Sequence, residues 1–289
     1  QVPDGVTLAD PLATDLAGYD GVVVSPGVPI NRHPIAGYAK AAGVPLIGDI
    51  ELFAQARATL PPHKVVGITG TNGKSTTTAL LHHLCTTAGI PAAMGGNIGL
   101  PIMAQNPLPA GGVWVLELSS YQLEITHSLA CDVAILTNIT PDHLERHGTM
   151  AAYADAKARL FAMQKPGSTA IVGRAAQATW SVASGSVLLI EDVSLPSPQS
   201  DWPALKGPHN LENARAAIAA ARADRLRLDA VRLLPEGLDG AAVVHEYGPA
   251  IARGATTAAD RDVRVDSRLE DVGERTFLLF GFQDALADC

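Results

Sequence analysis

The sequence predicts an α/β protein built on a mostly parallel sheet, and three observations lead there. Short apolar strands at 65–69, 113–118, 133–137 and 169–172 alternate with helical stretches, the pattern of a parallel sheet covered by helices. One of those strands runs directly into a glycine loop and then a helix, the order that builds a phosphate cradle. The chain has 289 residues, of which 47% are hydrophobic and 17% charged, ordinary usage for a folded chain. At roughly 100 to 200 residues per domain, that length allows about two domains.

The elements follow in order. The apolar run Gly21-Val22-Val23-Val24 reads as a strand, closed by the turn Ser25-Pro26-Gly27-Val28-Pro29. A helical segment is expected near His33 to Ala42, then a short strand at 44–47. Gly48-Asp49-Ile50-Glu51-Leu52-Phe53 opens an amphipathic helix, and Pro61-Pro62 breaks the chain. That break is taken as a domain boundary, giving residues 1–62 and then a central domain at 63–223. The Ala-rich stretch 214–223 reads as a helix. Residues 224–289 contain no lysine, alternate arginine with aspartate without an apolar period, and show one strand-like segment, 276–282; they are an unassigned tail.

Charge and cysteine content narrow the function. With 21 Lys plus Arg against 29 Asp plus Glu, the net charge is −8, which argues against a nucleic-acid surface or an anionic-membrane partner. Any bound phosphate needs a local site. Cys85, Cys131 and Cys289 have no CxxC spacing, so neither a disulfide framework nor a structural zinc is indicated, and a reducing cytoplasm fits. No apolar run of about 18 residues and no leader is visible. Gln1 suggests a start inside the first domain.

The phosphate loop is Gly70-Thr71-Asn72-Gly73-Lys74-Ser75-Thr76, between strand 65–69 and a helix expected over 79–87. Glycines let backbone N–H groups close around phosphate oxygens, and a helix N-terminus faces the negative charge. Lys74 reaches the β/γ-phosphates and Ser75 can hold Mg²⁺. The generic pattern G-x-x-x-x-G-K-[ST] wants glycine at position 68, where Ile68 stands, so this is a variant loop. The competing reading is a glycine turn with a solvated lysine.

Downstream, strand 113–118 delivers Glu117 near its carboxyl end, where a carboxylate can complete a Mg²⁺ shell with Ser75. A surface glutamate is the alternative. After strand 133–137 comes Asn138-Ile139-Thr140-Pro141-Asp142-His143, in which His143 either ligates metal, contacts substrate or is an ordinary hydrogen-bonded histidine. Lys157 is the lone lysine of a helix over 151–161, and its plain role is a solvated charge. Asn210 and Asn213 either cap the Ala-rich helix or meet a nucleotide.

Together, segments 67–77, 96–99, 117–123, 138–147, 153–157 and 207–213 resemble the Mur ligase family, in the family's order, over about 20–222. Segments 25–29, 48–53 and 119–123 are most similar to its D-glutamate-adding branch. The resemblance implies a P-loop NTPase-like central domain preceded by part of a Rossmann-like, UDP-binding domain. It implies ATP and Mg²⁺ as cofactors, and UDP-N-acetylmuramoyl-L-alanine and D-glutamate as substrates joined through an acyl phosphate. By resemblance, Lys74 stabilises the transferring phosphoryl group, while Ser75 and Glu117 hold a first Mg²⁺. His143 and a carbamylated Lys157 serve a second. Asn97, Ser119, Gln122 and His143 would meet the UDP-muramoyl substrate, and Asn210 and Asn213 the nucleotide. The family's third domain, with its His-Arg linker and Asn-Asp-Ser-Lys-Ala-Thr-Asn segment, has no counterpart in the sequence. A nucleotide-binding remnant without turnover and a small-molecule kinase are the competing readings.

Overall fold

In the computed structural model, the residues described are 9–177, 186–202, 205–223, 226 and 277–280. The first layer begins with β1 (Gly21–Val24), a fully buried strand. Helix α1 (Pro34–Ala42) starts on a proline, and the His33 ring accepts from Ile35 N–H. It ends on Gly43 in the left-handed region, φ 71°, whose N–H returns to Ala39 and Lys40. Then come β2 (Leu46–Ile47) and α2 (Asp49–Ala56).

The second layer is larger. Its strands are β3 (His63–Thr69), β4 (Ala92–Gly96), β5 (Gly112–Glu117), β6 (Val133–Leu136), β7 (Thr169–Val172) and β8 (Ser186–Leu189). Its helices are α3 (Lys74–Thr87), α4 (Ser120–Glu124), α5 (Leu144–His147), α6 (Met150–Ala162), α7 (Arg174–Gln177) and α8 (Pro208–Arg222). The six strands run in the order β4-β5-β3-β6-β7-β8, each adjacent pair parallel. A last strand, β9 (Phe277–Phe280), pairs in parallel with β1, so the first sheet reads β2-β1-β9.

Strand periodicity sorts the core. Val66, Ile68, Val113, Val115, Val133 and Ile135 face the α3 and α8 side, with Leu80, Leu84, Ala217 and Ile218. Their alternates Val65, Trp114, Leu116, Ala134 and Leu136 face the other side, with Phe53, Leu160 and Phe161. Gly67 has no side chain because a Cβ there would lie 2.8 Å from Cys131 Sγ and Leu160 Cδ1.

The two layers are joined at Glu51. This buried carboxylate accepts from His127 N–H (2.7 Å), Ser128 N–H (2.9 Å), Ser128 Oγ (2.7 Å) and Gln55 Nε2 (3.0 Å). A carboxylate taken out of water needs such donors.

Several expectations shift. The strand expected at 44–47 is shorter, and α3 starts at Lys74 rather than 79. Strands β4 and β8 were not expected: Ala92-Ala93-Met94-Gly95-Gly96 has little strand character of its own, and the sheet neighbour supplies the pairing. The expected strand at 276–282 exists as β9, and most of the tail at 224–289 lies outside the described residues. Among the described residues, no helix is long and apolar enough to cross a membrane.

Candidate active site

Strand β3 ends at Thr69 and the loop begins at Gly70, whose φ of 147° and packing against Thr137 exclude a side chain. Gly73, φ 84°, is the N-cap of α3, and its missing Cβ leaves room for the Asn213 side-chain oxygen. No side chain caps α3, so its first-turn N–H groups face the loop mouth as donors for an anion. Ile68 is fully buried in β3, which explains the variant pattern: the glycine turn starts only after the strand has ended.

The loop is braced from outside. Asn138 Oδ1 accepts from Asn72 N–H (2.9 Å), and Thr137 Oγ1 donates to Asn72 O (2.6 Å). Thr71 Oγ1 accepts from Thr140 N–H (3.0 Å) and lies 3.1 Å from the Tyr153 hydroxyl. Lys74 folds across the mouth, Nζ donating to Gly70 O (3.1 Å) and Thr71 O (2.9 Å). Burial lowers its pKa, while Glu117 and Asp142 pull the other way.

Glu117 stands at the tip of β5, only 1% exposed. Ser75 Oγ donates to its Oε2 (2.7 Å) and Asn97 Nδ2 to its Oε1 (2.8 Å), so both carboxylate oxygens are fixed. Gly96, φ 87°, brings Asn97 N–H to Glu117 O at 2.8 Å, a path a side chain would block. Among the described residues, no group of three or more His, Cys, Asp or Glu side chains is gathered. One carboxylate and one hydroxyl beside a phosphate loop therefore fit a hard cation that draws its remaining oxygens from phosphate and water, as Mg²⁺ does.

Helix α6 turns Lys157 inward, where it is 1% exposed, which sets aside the alternative of a solvated charge. Its Nζ donates to Gly70 O (2.9 Å) and sits 4.6 Å from the centre of the Tyr153 ring. Burial, and then the neighbouring Lys74 cation, push its pKa down to about 7. His143 N-caps α5 at φ 51°, a left-handed non-glycine residue of the kind found where function stores strain. Its Nδ1 is 3.2 Å from the Tyr121 hydroxyl. No hydrogen bond joins His143 to Lys157 or Glu117 among the described residues, although His143 and Lys157 both adjoin Tyr153.

Other expected residues have local duties. Ser119 and Gln122 form a capping box on α4, Ser119 Oγ accepting from Gln122 N–H and Gln122 Oε1 from Ser119 N–H. Neither asparagine caps α8, whose N-cap is Gly207. Asn210 donates to Lys206 O, and Asn213, inside the helix, reaches Thr77 Oγ1 at 3.4 Å. Thr76 follows Ser75 in the first turn of α3. Sequence reasoning missed the roles of Thr137, Tyr153 and Arg146, whose signal was only their place in polar runs at strand and helix ends. A cavity of about 510 Å³, lined by Arg57, His63 and Asp132, lies at the amino ends of the strands, away from this site.

Residues 68–187 match the Mur ligase middle domain. Over 224 residues the chain is 61% identical to UDP-N-acetylmuramoylalanine-D-glutamate ligase of Novosphingobium aromaticivorans, covering 75% of this chain and 50% of that one. The chain belongs to the Mur ligase family. The ligase of the same name from Zymomonas mobilis subsp. mobilis is 53% identical over 224 residues, covering 75% of this chain and 51% of the relative. The chain thus spans about half the length of the relatives it matches. Among solved Mur ligases, UDP-N-acetylmuramate:L-alanyl-gamma-D-glutamyl-meso-diaminopimelate ligase from Neisseria meningitides shares the fold at TM-score 0.53 and 19% identity, covering 75% of this chain and 78% of that one. The Mur ligase middle-domain match takes in the loop at 70–76, Glu117, His143 and Lys157, while Asn210 and Asn213 lie beyond it.

Proposed function

We propose that this chain carries the nucleotide-binding centre of a cytoplasmic, ATP-dependent ligase that adds D-glutamate to UDP-N-acetylmuramoyl-L-alanine in peptidoglycan precursor synthesis. The observation that carries the reading is the convergence of Ser75 and Asn97 on the two oxygens of Glu117, beside an uncapped α3. In this reading residues 1–62 belong to the UDP-binding domain and 63–223 to the ATP-binding domain.

In the first step an oxygen of the L-alanyl carboxylate bonds to the γ-phosphorus of ATP, and ADP leaves. In the second, the D-glutamate amine attacks the acyl carbon, phosphate leaves with its oxygen, and a proton is released. Catalysis here is positioning plus electrostatics. The α3 N–H groups and Lys74 would hold the phosphates, Lys74 exchanging its present carbonyl partners for phosphate oxygens. Ser75 and Glu117 would hold Mg²⁺, which when bound neutralises charge on the β- and γ-phosphates. Lys157, a buried amine whose pKa is pushed down to about 7, is suited to take up CO₂ in its neutral form as a carbamate, releasing a proton and placing an anion beside the loop. His143 and Asn97 would face the muramoyl end. Ser119 and Gln122 would present α4 to that end, and Asn213 supports the loop from α8.

Heavy-oxygen labelling tests the chemistry. With the label in the L-alanyl carboxylate, the reading expects one labelled oxygen in the released phosphate. Unlabelled phosphate would overturn the acyl-phosphate route.

A further inference from the structure

The turn after β1 is fastened to α5 by one guanidinium. Arg146 Nη1 donates to Val28 O (2.8 Å), while Nε (3.0 Å) and Nη2 (2.9 Å) both donate to Glu124 Oε2. The group also sits 4.8 Å from the centre of the Tyr121 ring. Asn31 Nδ2 returns the link by donating to Arg146 O (3.1 Å). The other Glu124 oxygen lies 3.1 Å from His147 Nδ1, and His147 Nε2 lies 3.0 Å from Ser120 Oγ. The Arg146 side chain is 7% exposed and that of His147 2%. Paired, fork-shaped and desolvated contacts of this kind are stronger and more geometrically demanding than surface ion pairs.

The placement of this cluster matters more than its strength. In parallel sheets, ligands lie at the carboxyl ends of the strands. Val28 belongs to the turn at the carboxyl end of β1, and Glu124 closes the helix that follows the carboxyl end of β5. Arg146 spans these two ligand-facing ends, on the same short helix that His143 caps. A ligand with a nucleoside diphosphate at one end and a reacting carboxylate at the other must register against both.

We infer that Arg146 is a positioning residue, acting through Glu124 and Val28, that sets the distance between the β1 turn and α4 and so the affinity for the long UDP-linked substrate. The latch stands on the contacts alone; its effect on that substrate rests on the ligase reading. Lysine cannot replace it, because an ammonium lacks the fork that reaches Val28 and Glu124 together.

The test compares the unaltered chain with Arg146→Lys, Glu124→Gln and the double variant. Calorimetry reads affinity for UDP-N-acetylmuramoyl-L-alanine and, separately, for Mg²⁺ with a non-hydrolysable ATP analogue; hydrogen exchange reads amides 28–33, 120–126 and 70–77. Arg146→Lys is expected to weaken the UDP-linked substrate about tenfold and leave the nucleotide unchanged, with the double variant no worse, since partners in one network do not add. Exchange should quicken at 28–33 and 120–126 but not at 70–77. Unchanged exchange, or equal losses for both ligands, would overturn the inference. Quickened exchange in the variant, with no binding of the UDP-linked substrate by the unaltered chain, would instead overturn the ligase reading and leave the latch standing.

Discussion

Ser75 donates its hydroxyl to Glu117 Oε2 across 2.7 Å, tying the first turn of α3 to the tip of β5. Glu117→Gln keeps the size and removes the charge. Nucleotide affinity in the presence of Mg²⁺ should fall about tenfold or more, since the cation loses its one protein carboxylate. Thermal stability should hold or rise, because a carboxylate that is 1% exposed is replaced by a neutral amide. Calorimetry with and without Mg²⁺, beside thermal melts, checks both. An unchanged Mg²⁺ dependence would remove Glu117 from the site.

Lys157 gives a pH signature. Its pKa is pushed down to about 7 from 10.5, by burial first and then by Lys74. Between those values the unfolded chain holds a proton that the folded chain lacks, so stability rises with pH across that window and is lowest below it. In CO₂-free buffer, Lys157→Met should flatten that slope and stabilise the chain at mildly acidic pH. Urea unfolding on both sides of neutrality measures it. The same amine predicts a carbamate signal from labelled bicarbonate that disappears in Lys157→Ala.

The loop glycine facing α8 predicts a partial rescue. Gly73→Ala forces a side chain into φ 84° and against the Asn213 oxygen, at a cost of about 1–3 kcal/mol. Asn213→Ala clears the collision and leaves the backbone cost, so the double variant should recover part of the loss. Denaturant unfolding of the four proteins decides; simple additivity would contradict the contact.

These residues also show what was legible beforehand. The loop, Glu117 and the parallel sheet could be read because each follows from local pattern: an apolar strand, a glycine turn, a polar residue where the strand stops. The burial of Lys157 could not, since helix periodicity does not say that the inward position faces a loop carbonyl 87 residues away in sequence. From the sequence Asn213 was open between a cap and a nucleotide contact; that its oxygen packs against Gly73 and lies 3.4 Å from Thr77 Oγ1 is a relation created only by packing α8 against α3. Strand β4 was invisible because its pairing is supplied by β5 rather than by its own residues.

Glu51 predicts acid sensitivity between the layers. Burial works to raise its pKa, yet the donors at His127, Gln55 and Ser128 win and hold it below 4.5. A depressed carboxylate stabilises the fold above its unfolded pKa and loses that contribution as pH falls through the folded value. Glu51→Gln should therefore cost about 1–3 kcal/mol at neutral pH and much less in acid. Urea titrations at both pH values measure the difference, and an equal loss in acid would contradict the role of the charge.

The most direct measurement is ADP release from Mg-ATP with UDP-N-acetylmuramoyl-L-alanine, with and without D-glutamate, beside Lys74→Ala. The account predicts release that needs both substrates and is abolished by the substitution. Release indifferent to D-glutamate, or unaffected by loss of Lys74, would contradict it.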